Sequence, residues 1–181
     1  MINKMVDLET WGKRAGCAIR SIGAVSFDPR GVPGQLGAEF YCNVSRESCE
    51  EIGLVVDEST KKWWEKQGEK AQAALIPDQR PVREAVAEFR AWFVKQRGIF
   101  IWSQGAGFDE PIISAVMEAC GMTPPWKYWD VRDTRTAYDI CEFSPFSVKR
   151  VGVAHHALHD ARHQAICVQR AHACLRKNGG S

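Results

Sequence analysis

Alternating apolar and polar residues run through the first part of the chain and predict strands. Lys4 to Thr10, Ile19 to Asp28 and Ala38 to Val44 each carry this pattern. Successive side chains of a strand point to opposite faces of its sheet. The Gly- and Pro-rich stretch DPRGVPGQLG between the last two segments is typical of a hairpin loop. We therefore expect an antiparallel meander of three strands.

Beyond Asp57 the spacing of apolar residues becomes helical. In ESTKKWWEKQ, Ser59 or Thr60 is a candidate helix cap. Pro81 opens a second helix in PVREAVAEFRAWFV. The apolar residues of this helix recur on one face, at Val82, Ala85, Val86, Phe89 and Phe93. That spacing predicts an amphipathic helix packed on a sheet.

Strands and helices alternate in the rest of the chain. GIFIWSQ is typical of a buried central strand, and a helix follows from Asp109 to Cys120, ended by Gly121. A short strand around Tyr128 to Val131 and a helix near Asp133 to Cys141 come next. The last helix carries one apolar stripe, formed by Leu158, Ala161, Ala165, Val168 and Leu175. This order predicts an α/β fold with a mixed sheet flanked by helices.

The composition narrows the class of protein. Without a repeat or linker, residues 1–177 are predicted to form a single domain and residues 178–181 a flexible tail. The 7 cysteines lack a C-x-x-C pair, which disfavours a disulfide framework and fits a reducing, cytoplasmic setting. No stretch approaches the roughly 18 to 20 apolar residues of a membrane span, so no membrane partner is expected. A formal net charge of +2 does not by itself indicate nucleic-acid binding.

Four carboxylates are candidates for chemistry. Asp7 and Glu9 leave the same face of the first strand, where their repulsion raises a pKa or requires a cation. Asp109 opens a helix after the central strand, and Asp160 lies near the start of the last helix. Each also has a structural explanation. The first two fit an exposed acidic strand face, Asp109 fits a helix cap, and Asp160 complements a helix dipole.

Taken together and in this order, DLET, GAGFD and HHALHDA resemble the three motifs of the DEDDh exonucleases. This DnaQ-like family includes polymerase proofreading domains and oligoribonucleases. The segments STKKWWEKQ, WSQGAGFDEPII and PWKYWDVRDTRT are similar to prophage-type exonucleases and related small bacterial exoribonucleases. The resemblance spans nearly the whole chain. It implies a ribonuclease H-like sheet, 3′-to-5′ exonuclease activity and a bacterial or phage origin.

The resemblance also implies a metal site and a general base. Two Mg²⁺ or Mn²⁺ ions would be held by the four carboxylates, Asp7, Glu9, Asp109 and Asp160. In the family the base precedes the last acid by five residues, which selects His155 over His156. Oxygen ligands suit these cations, and histidine, with an ordinary pKa of about 6.5, accepts a proton at neutral pH. The expected products are nucleoside 5′-monophosphates.

Substrate contacts follow from the same resemblance. The backbone around Thr10 and the side chain of Trp11 would border the terminal nucleotide. Trp11 either stacks on a base or packs against a neighbouring loop, and Phe108 either lines the same pocket or anchors its helix. The expected partners are 3′ ends of single-stranded DNA or RNA, with DNA slightly favoured on the prophage resemblance. The resemblance also allows a homodimer, although no residue identifies an interface.

Other side chains receive weaker predictions. Five tryptophans are expected to pack between helices and sheet, namely Trp63, Trp64, Trp92, Trp102 and Trp129. A phosphate-binding rim is a hypothesis for Lys13, Arg14, Arg132, Arg135, Lys149 and Arg150. Gln104 departs from the asparagine that close relatives often have, which changes a polar contact near the third acid.

Three alternatives stay open. A helical zinc site is suggested by the pairs His155/His159 and His159/His163, but a third ligand motif is missing. A catalytically inactive nucleic-acid-binding module would lack an acid or the base, and none is missing. A metal-dependent nucleotidase for small molecules is supported only by the low positive charge.

Overall fold

The computed structural model describes residues 1–178. The strands are β1 (Asn3–Thr10), β2 (Ile19–Phe27), β3 (Leu36–Asn43), β4 (Phe100–Ser103) and β5 (Val131–Asp133). The helices are α1 (Arg46–Glu51), α2 (Glu58–Trp64), α3 (Glu69–Ala74), α4 (Val82–Lys95), α5 (Asp109–Ala119), α6 (Thr134–Ile140) and α7 (Ala157–Asn178). Short 3₁₀ turns cover Tyr128–Asp130 and Pro145–Ser147. Of the predicted tail, Asn178 ends α7, and 179–181 lie outside the described residues.

The strands form one sheet in the order β3-β2-β1-β4-β5. The first three strands pair antiparallel, which confirms the predicted meander. Both β1 with β4 and β4 with β5 pair parallel, which confirms the mixed sheet. The β1–β2 register places Gly23 opposite Asp7. The centre of the sheet therefore carries the first predicted acids.

Apolar side chains fill both faces of the sheet. On one face Val6 and Leu8 pack with α4 and α5, and every predicted apolar position of α4 is buried. On the other face Met5 packs with α7 through residues such as Ala161 and Ala165. Since side chains alternate along β1, Asp7 and Glu9 share the α7 face with Met5. The odd-numbered positions of β1 face α7 and the even-numbered ones face α4 and α5, so burial on both sides fixes which face each side chain takes.

Two predicted element boundaries are wrong. Helix α2 is capped by Asp57, whose Oδ1 accepts from the Ser59 N–H at 2.7 Å, and not by Ser59 or Thr60. The segment at Tyr128 forms a 3₁₀ turn, held where the Lys127 N–H donates to the Asp130 carboxylate at 3.2 Å. The strand there begins only at Val131. In both places a local side chain-to-backbone hydrogen bond decides the boundary.

Some predicted core positions lie at the surface. Leu175 is 45% exposed, so the buried stripe of α7 does not extend to it. Trp63 and Trp129 are also exposed, whereas Trp64 and Trp102 are buried as predicted. Trp92 is partly buried against the α4 side of the core. Within residues 1–178, none of the helices combines the length and apolar character that crossing a membrane would require.

Candidate active site

Strand β1 brings Asp7 and Glu9 to the side of the sheet that α7 covers. Glu9 is buried, and Asp7 Oδ1 accepts a hydrogen bond of 2.7 Å from Gln164 Nε2 on α7. Gln164 lies one helical turn after Asp160, so both side chains leave the same face of α7. Sequence reasoning missed Gln164, although this i, i+4 spacing from the last acid is a signal that identifies it.

Asp109 reaches the same place from α5. Its Oδ1 accepts the backbone N–H of Leu8 at 3.0 Å, which places the carboxylate between the positions of Asp7 and Glu9 on β1. Asp109 is the first residue of α5, and its side chain does not cap the helix, whose N-cap position is Phe108. The structural explanation considered from the sequence, a helix cap, is therefore not what fixes this buried carboxylate.

The first turn of α7 supplies Asp160, and the loop before this helix supplies His155. The backbone N–H of His155 donates to Asp160 Oδ2 at 3.1 Å, and His155 has a left-handed φ of 59°. That conformation is uncommon for a residue with a side chain and often marks a functional position. One ligand atom from each of Glu9, His155 and Asp160 lies within 4.8 Å of the other two.

Close packing at Gly23 brings these segments together. A Cβ at this position would lie 2.1 Å from the carbonyl carbon of Ala157 and 2.2 Å from the amide nitrogen of Leu158. Only glycine lets the first turn of α7 approach β2 this closely. Because Gly23 is the cross-strand neighbour of Asp7, this contact sets how near Asp160 comes to the acids of β1.

Arg150 is a cation inside the acidic cluster. Its Nη1 donates to Asp160 Oδ1. Its charge also lowers the pKa values of Asp7 and Glu9. Arg150 was predicted only as part of a phosphate-binding rim, and the structure places it against a carboxylate of the candidate site. One positive charge offsets only part of the charge of four acids.

Burial and mutual repulsion raise the pKa values of the acids. For Asp7, burial and then the charges of Asp109 and Glu9 raise the pKa well above its ordinary value. Burial and the Asp109 charge raise the pKa of Glu9 to about 8. Burial raises the pKa of Asp109 to about 7, although the Leu8 N–H and Arg135 lower it. Such a cluster favours either bound protons or bound cations.

His155 lies beside two indoles. Its ring makes edge-to-face contacts with Trp63 at 5.0 Å and Trp64 at 6.1 Å between centroids. Burial and the nearby Arg150 charge lower the pKa of His155 below 6.5. The imidazole is therefore neutral at neutral pH and can accept a proton. Trp64 is itself fixed by its Nε1, which donates to the Thr10 carbonyl at 2.8 Å.

A cavity of about 310 Å³, here called the first cavity, opens beside Glu9. Its walls include Thr10, Phe108, Trp63 and Trp64. The structure thus places two of the predicted substrate contacts, Thr10 and Phe108, at one cavity. Sequence reasoning assigned Trp63 to the core, and its exposure at this wall gives it access to a ligand.

Trp11 lies outside the walls of this cavity. Its ring packs under the Arg20 guanidinium at 4.1 Å, and the same guanidinium lies 4.2 Å from the Trp64 ring. This arrangement leaves the Trp11 ring in contact with an arginine rather than facing the first cavity. Indole-guanidinium stacking of this kind stabilises both side chains.

The residues of the hypothetical phosphate rim do not form one surface. Lys13 lines the first cavity, and Arg135 and Arg150 line a different one. Arg132 packs over Phe100 at 4.4 Å and donates to backbone carbonyls. Arg14 lines a third cavity and Lys149 is exposed. The rim prediction is thus reduced to three residues near the acids.

The histidine pairs considered for zinc are engaged otherwise. His155 precedes α7, so it does not share a helical face with His159. His159 Nδ1 accepts the Val153 N–H at 3.1 Å, and the rings of His156 and His159 stack at 3.9 Å. His156 also stacks on Tyr41 at 4.3 Å, so its ring is engaged in packing. The geometry does not favour the zinc alternative.

A family model described as the 3′-5′ exoribonuclease Rv2179c-like domain matches residues 3–172. The chain belongs to this family. The family is described as a 3′-5′ exoribonuclease family, which agrees with the enzyme class predicted from the sequence. The matched range includes all four acids and His155 of this Rv2179c-like domain. A carboxylate and histidine cluster also fits the divalent-metal dependence of exonucleases.

Solved structures of E. coli exonuclease I share the fold. A complex with a dT13 oligonucleotide has a TM-score of 0.63 at 12% identity, covering 98% of this chain and 42% of that one. A zinc-bound complex with single-stranded DNA has a TM-score of 0.59 at 14% identity, covering 98% and 40%. The Rv2179c-like domain thus spans about two fifths of the length of these neighbours. No curated protein matches the chain significantly.

Proposed function

We propose that the chain removes nucleotides one at a time from the 3′ end of single-stranded nucleic acid, using two divalent cations and a histidine base. The convergence of Glu9, His155 and Asp160 within 4.8 Å carries this proposal. It brings Glu9 together with His155 and Asp160, which lie 146 and 151 positions later in the sequence, at one point beside a cavity. Neither a folded binding module nor a purely structural acidic patch requires a base at that point.

The donor set fits Mg²⁺ or Mn²⁺. The proposed ligands are the carboxylates of Asp7, Glu9, Asp109 and Asp160, and oxygen-only sites suit these hard cations. Burial raises the pKa values of Asp7, Glu9 and Asp109, and repulsion from neighbouring acids adds to this for Asp7 and Glu9, so bound cations would stabilise the ionised carboxylates. Bound divalent cations supply Lewis-acid stabilisation of negative charge on the phosphate and leaving oxygens.

The protein itself supplies the base for the attacking water. The neutral imidazole of His155 accepts a proton from the attacking water as the water oxygen bonds to phosphorus. The bond from phosphorus to the 3′ oxygen of the preceding nucleotide breaks, and the leaving oxygen takes up a proton from solvent. The products are a nucleoside 5′-monophosphate and a chain with a new 3′-hydroxyl. Asp160 positions the base by accepting the backbone N–H of His155.

The first cavity is the proposed site of the terminal nucleoside. It adjoins Glu9 and presents the aromatic walls Trp63 and Phe108, on which a base can pack without regard to sequence. RNA is the first substrate to test, because the family is described as an exoribonuclease family. DNA remains the second, since the exonuclease I neighbours are described in complex with DNA oligonucleotides.

A direct test gives the protein 5′-labelled single-stranded RNA and DNA of matched sequence, with Mn²⁺, Mg²⁺ or EDTA. The proposal predicts a ladder that shortens from the 3′ end only with a divalent ion. Asp160→Asn should abolish the ladder. Asp139→Asn, which removes an exposed carboxylate from α6, is the matched control and should degrade both strands at the wild-type rate.

Other outcomes separate the alternatives. Normal digestion by Asp160→Asn would refute the assigned site. Strand binding with no cleavage in any ion would favour the binding module, and hydrolysis of free nucleotides alone would favour the nucleotidase. The ratio of rates on the two strands decides between RNA and DNA, a distinction that depends on contacts with the 2′-hydroxyl.

A further inference from the structure

A second cavity adjoins the acidic cluster. Its volume is about 500 Å³, within the roughly 300 to 1,000 Å³ range of ligand pockets. Its walls include Gln104, Arg135, Tyr138, Phe146, Arg150 and His163. The function proposed above leaves this cavity without a role.

The two cavities meet at the acids. Glu9 lines the first cavity, and Arg150 of the second donates to Asp160. Glu9 and Asp160 have carboxylate oxygens within 4.8 Å of each other. A strand whose terminal nucleoside occupies the first cavity, with its scissile phosphate at the acids, therefore has the second cavity available for its next nucleotide.

The charge of the second cavity suits a phosphate. Arg135 and Arg150 both line it, and none of its lining residues, all within 1–178, is Asp or Glu. Arg135 stands at the start of α6, where its N–H donates to the Asp133 carboxylate at 2.8 Å. Its Nη1 lies 3.3 Å from where a Cβ on Gly105 would be. The guanidinium thus rests on the loop that leads to Asp109, and guanidinium groups bind phosphate well.

Phe146 supplies an aromatic surface at the same cavity. Its side chain is 96% exposed, on the 3₁₀ turn Pro145–Ser147. The turn is fixed by Ser147 Oγ, which donates to the Ser144 carbonyl at 2.7 Å, and by Val148, which is buried in the core. A single exposed apolar residue is ordinary. Phe146, however, lies on an anchored turn at a cavity that two arginines also line. Such a combination suits the stacking of a base together with the binding of a phosphate.

We propose that the second cavity binds the penultimate nucleotide, with Arg135 and Arg150 on its 5′ phosphate and Phe146 stacked on its base. This inference rests on the proposed function, because it assumes that the scissile phosphate lies at the acids. The occupied second cavity would restrict the substrate further than the proposed function does. The preferred substrate is a strand with at least two nucleotides and a phosphate 5′ of the second, counted from the 3′ end.

The first experiment compares an oligonucleotide with the p-nitrophenyl ester of thymidine 5′-monophosphate. That ester offers a terminal nucleotide and a leaving group but has no second nucleotide. Phe146→Ala should lower kcat/KM on the oligonucleotide about tenfold, the scale of one base-aromatic stack, and leave ester hydrolysis within about twofold. Tyr128→Ala, which removes an exposed aromatic outside the cavity, should change neither rate.

The second experiment measures binding without turnover. Fluorescence anisotropy in Ca²⁺ compares a normal oligonucleotide with one carrying a methylphosphonate 5′ of the penultimate nucleotide. The uncharged linkage should weaken binding to the wild type about tenfold and should have a clearly smaller effect on Arg135→Gln, which keeps only Arg150 at that phosphate. The control Arg170→Gln, an exposed arginine of α7, should show the full wild-type difference.

The outcomes distinguish the two proposals. If the wild type cleaves neither substrate, the proposed function itself fails. If it cleaves both, but Phe146→Ala slows them equally or not at all, the subsite is refuted while the exonuclease stands. An undiminished methylphosphonate effect in Arg135→Gln would likewise overturn the phosphate contact.

Discussion

Gly23 of β2 lies against Ala157, the first residue of α7, so closely that a Cβ would be 2.1 Å from the Ala157 carbonyl carbon. Gly23 also pairs with Asp7 across the β1–β2 ladder. The contact therefore links α7, which carries Asp160, through β2 to β1, which carries Asp7 and Glu9. The distance between the two halves of the candidate site depends on this glycine.

Substitution Gly23→Ala should separate α7 from the sheet. The added methyl would meet backbone atoms, which cannot move aside as a flexible side chain can. We expect a loss of about 1–3 kcal/mol in the free energy of unfolding, measured by urea denaturation, together with weaker Mn²⁺ binding. Gly68→Ala is the control, because a Cβ there meets no atom within 4 Å. Equal behaviour of the two variants would contradict the close-packing argument.

Acid clustering predicts how stability depends on pH without metal. The pKa values of Glu9 and Asp109 are raised to about 8 and about 7, so the folded state holds protons that the unfolded state releases near its ordinary pKa. Their contribution to stability is therefore present below about pH 4 and is lost as the pH rises through about 7 to 8. In EDTA the melting temperature should therefore fall as the pH rises from about 4 to about 8.

Divalent cations should reverse this trend. They compete with protons for the same oxygens, so the rise in melting temperature caused by Mn²⁺ should be larger at pH 8 than at pH 6. Asp109→Asn removes one of the titrating acids and should flatten both pH dependences. A Mn²⁺ effect of equal size at the two pH values would argue against binding at these carboxylates.

Loss of the base should affect turnover more than metal binding. His155→Gln should lower kcat about 10²- to 10⁴-fold while the Mn²⁺ affinity measured by calorimetry changes little. In the wild type, activity should fall on the acid side with a midpoint below 6.5, because burial and Arg150 lower the pKa of His155. His172→Gln, a change on the far part of α7, should preserve rate and pH profile. An unchanged acid limb in His155→Gln would assign the base elsewhere.

Gln164 is expected to act as a positioning residue for Asp7. Its Nε2 hydrogen bond lowers the pKa of Asp7, and its removal should raise that pKa and weaken Mn²⁺ binding. We expect Gln164→Leu to bind Mn²⁺ about tenfold more weakly at pH 7. The control Gln169→Leu removes a buried amide from the same helix. This amide donates to the Asp28 and Gln35 carbonyls and not to an acid of the site. That control should lose stability but keep its metal affinity.

The periodicity of the sequence predicted those features of the fold that depend only on residues close together in the chain. Alternation along β1 placed Asp7 and Glu9 on one face, and the helical spacing of α4 identified its buried side. Both patterns follow from the local geometry of strand and helix. The mixed sheet followed from the order of the elements and from the resemblance of the motifs.

Side-chain directions outside regular elements could not be predicted in this way. The β1–β2 register shifts between Glu9 and Thr10, so alternation no longer determines where Trp11 points. Its ring lies under Arg20, and Trp63, from a helix about fifty positions later, lines the first cavity instead. The contact of Asp109 with the Leu8 N–H is likewise long-range and has no local signature.

Hydrolysis by this chain is proposed to depend on cations held by four carboxylates. The most direct test counts Mn²⁺ ions bound per chain by isothermal titration calorimetry at pH 7.5, for the wild type and for Asp7→Asn, and measures 3′-end release by the same samples. We expect two ions for the wild type, weakened or lost binding in Asp7→Asn, and a parallel loss of activity. Full activity in EDTA, or unchanged Mn²⁺ binding in Asp7→Asn, would contradict it.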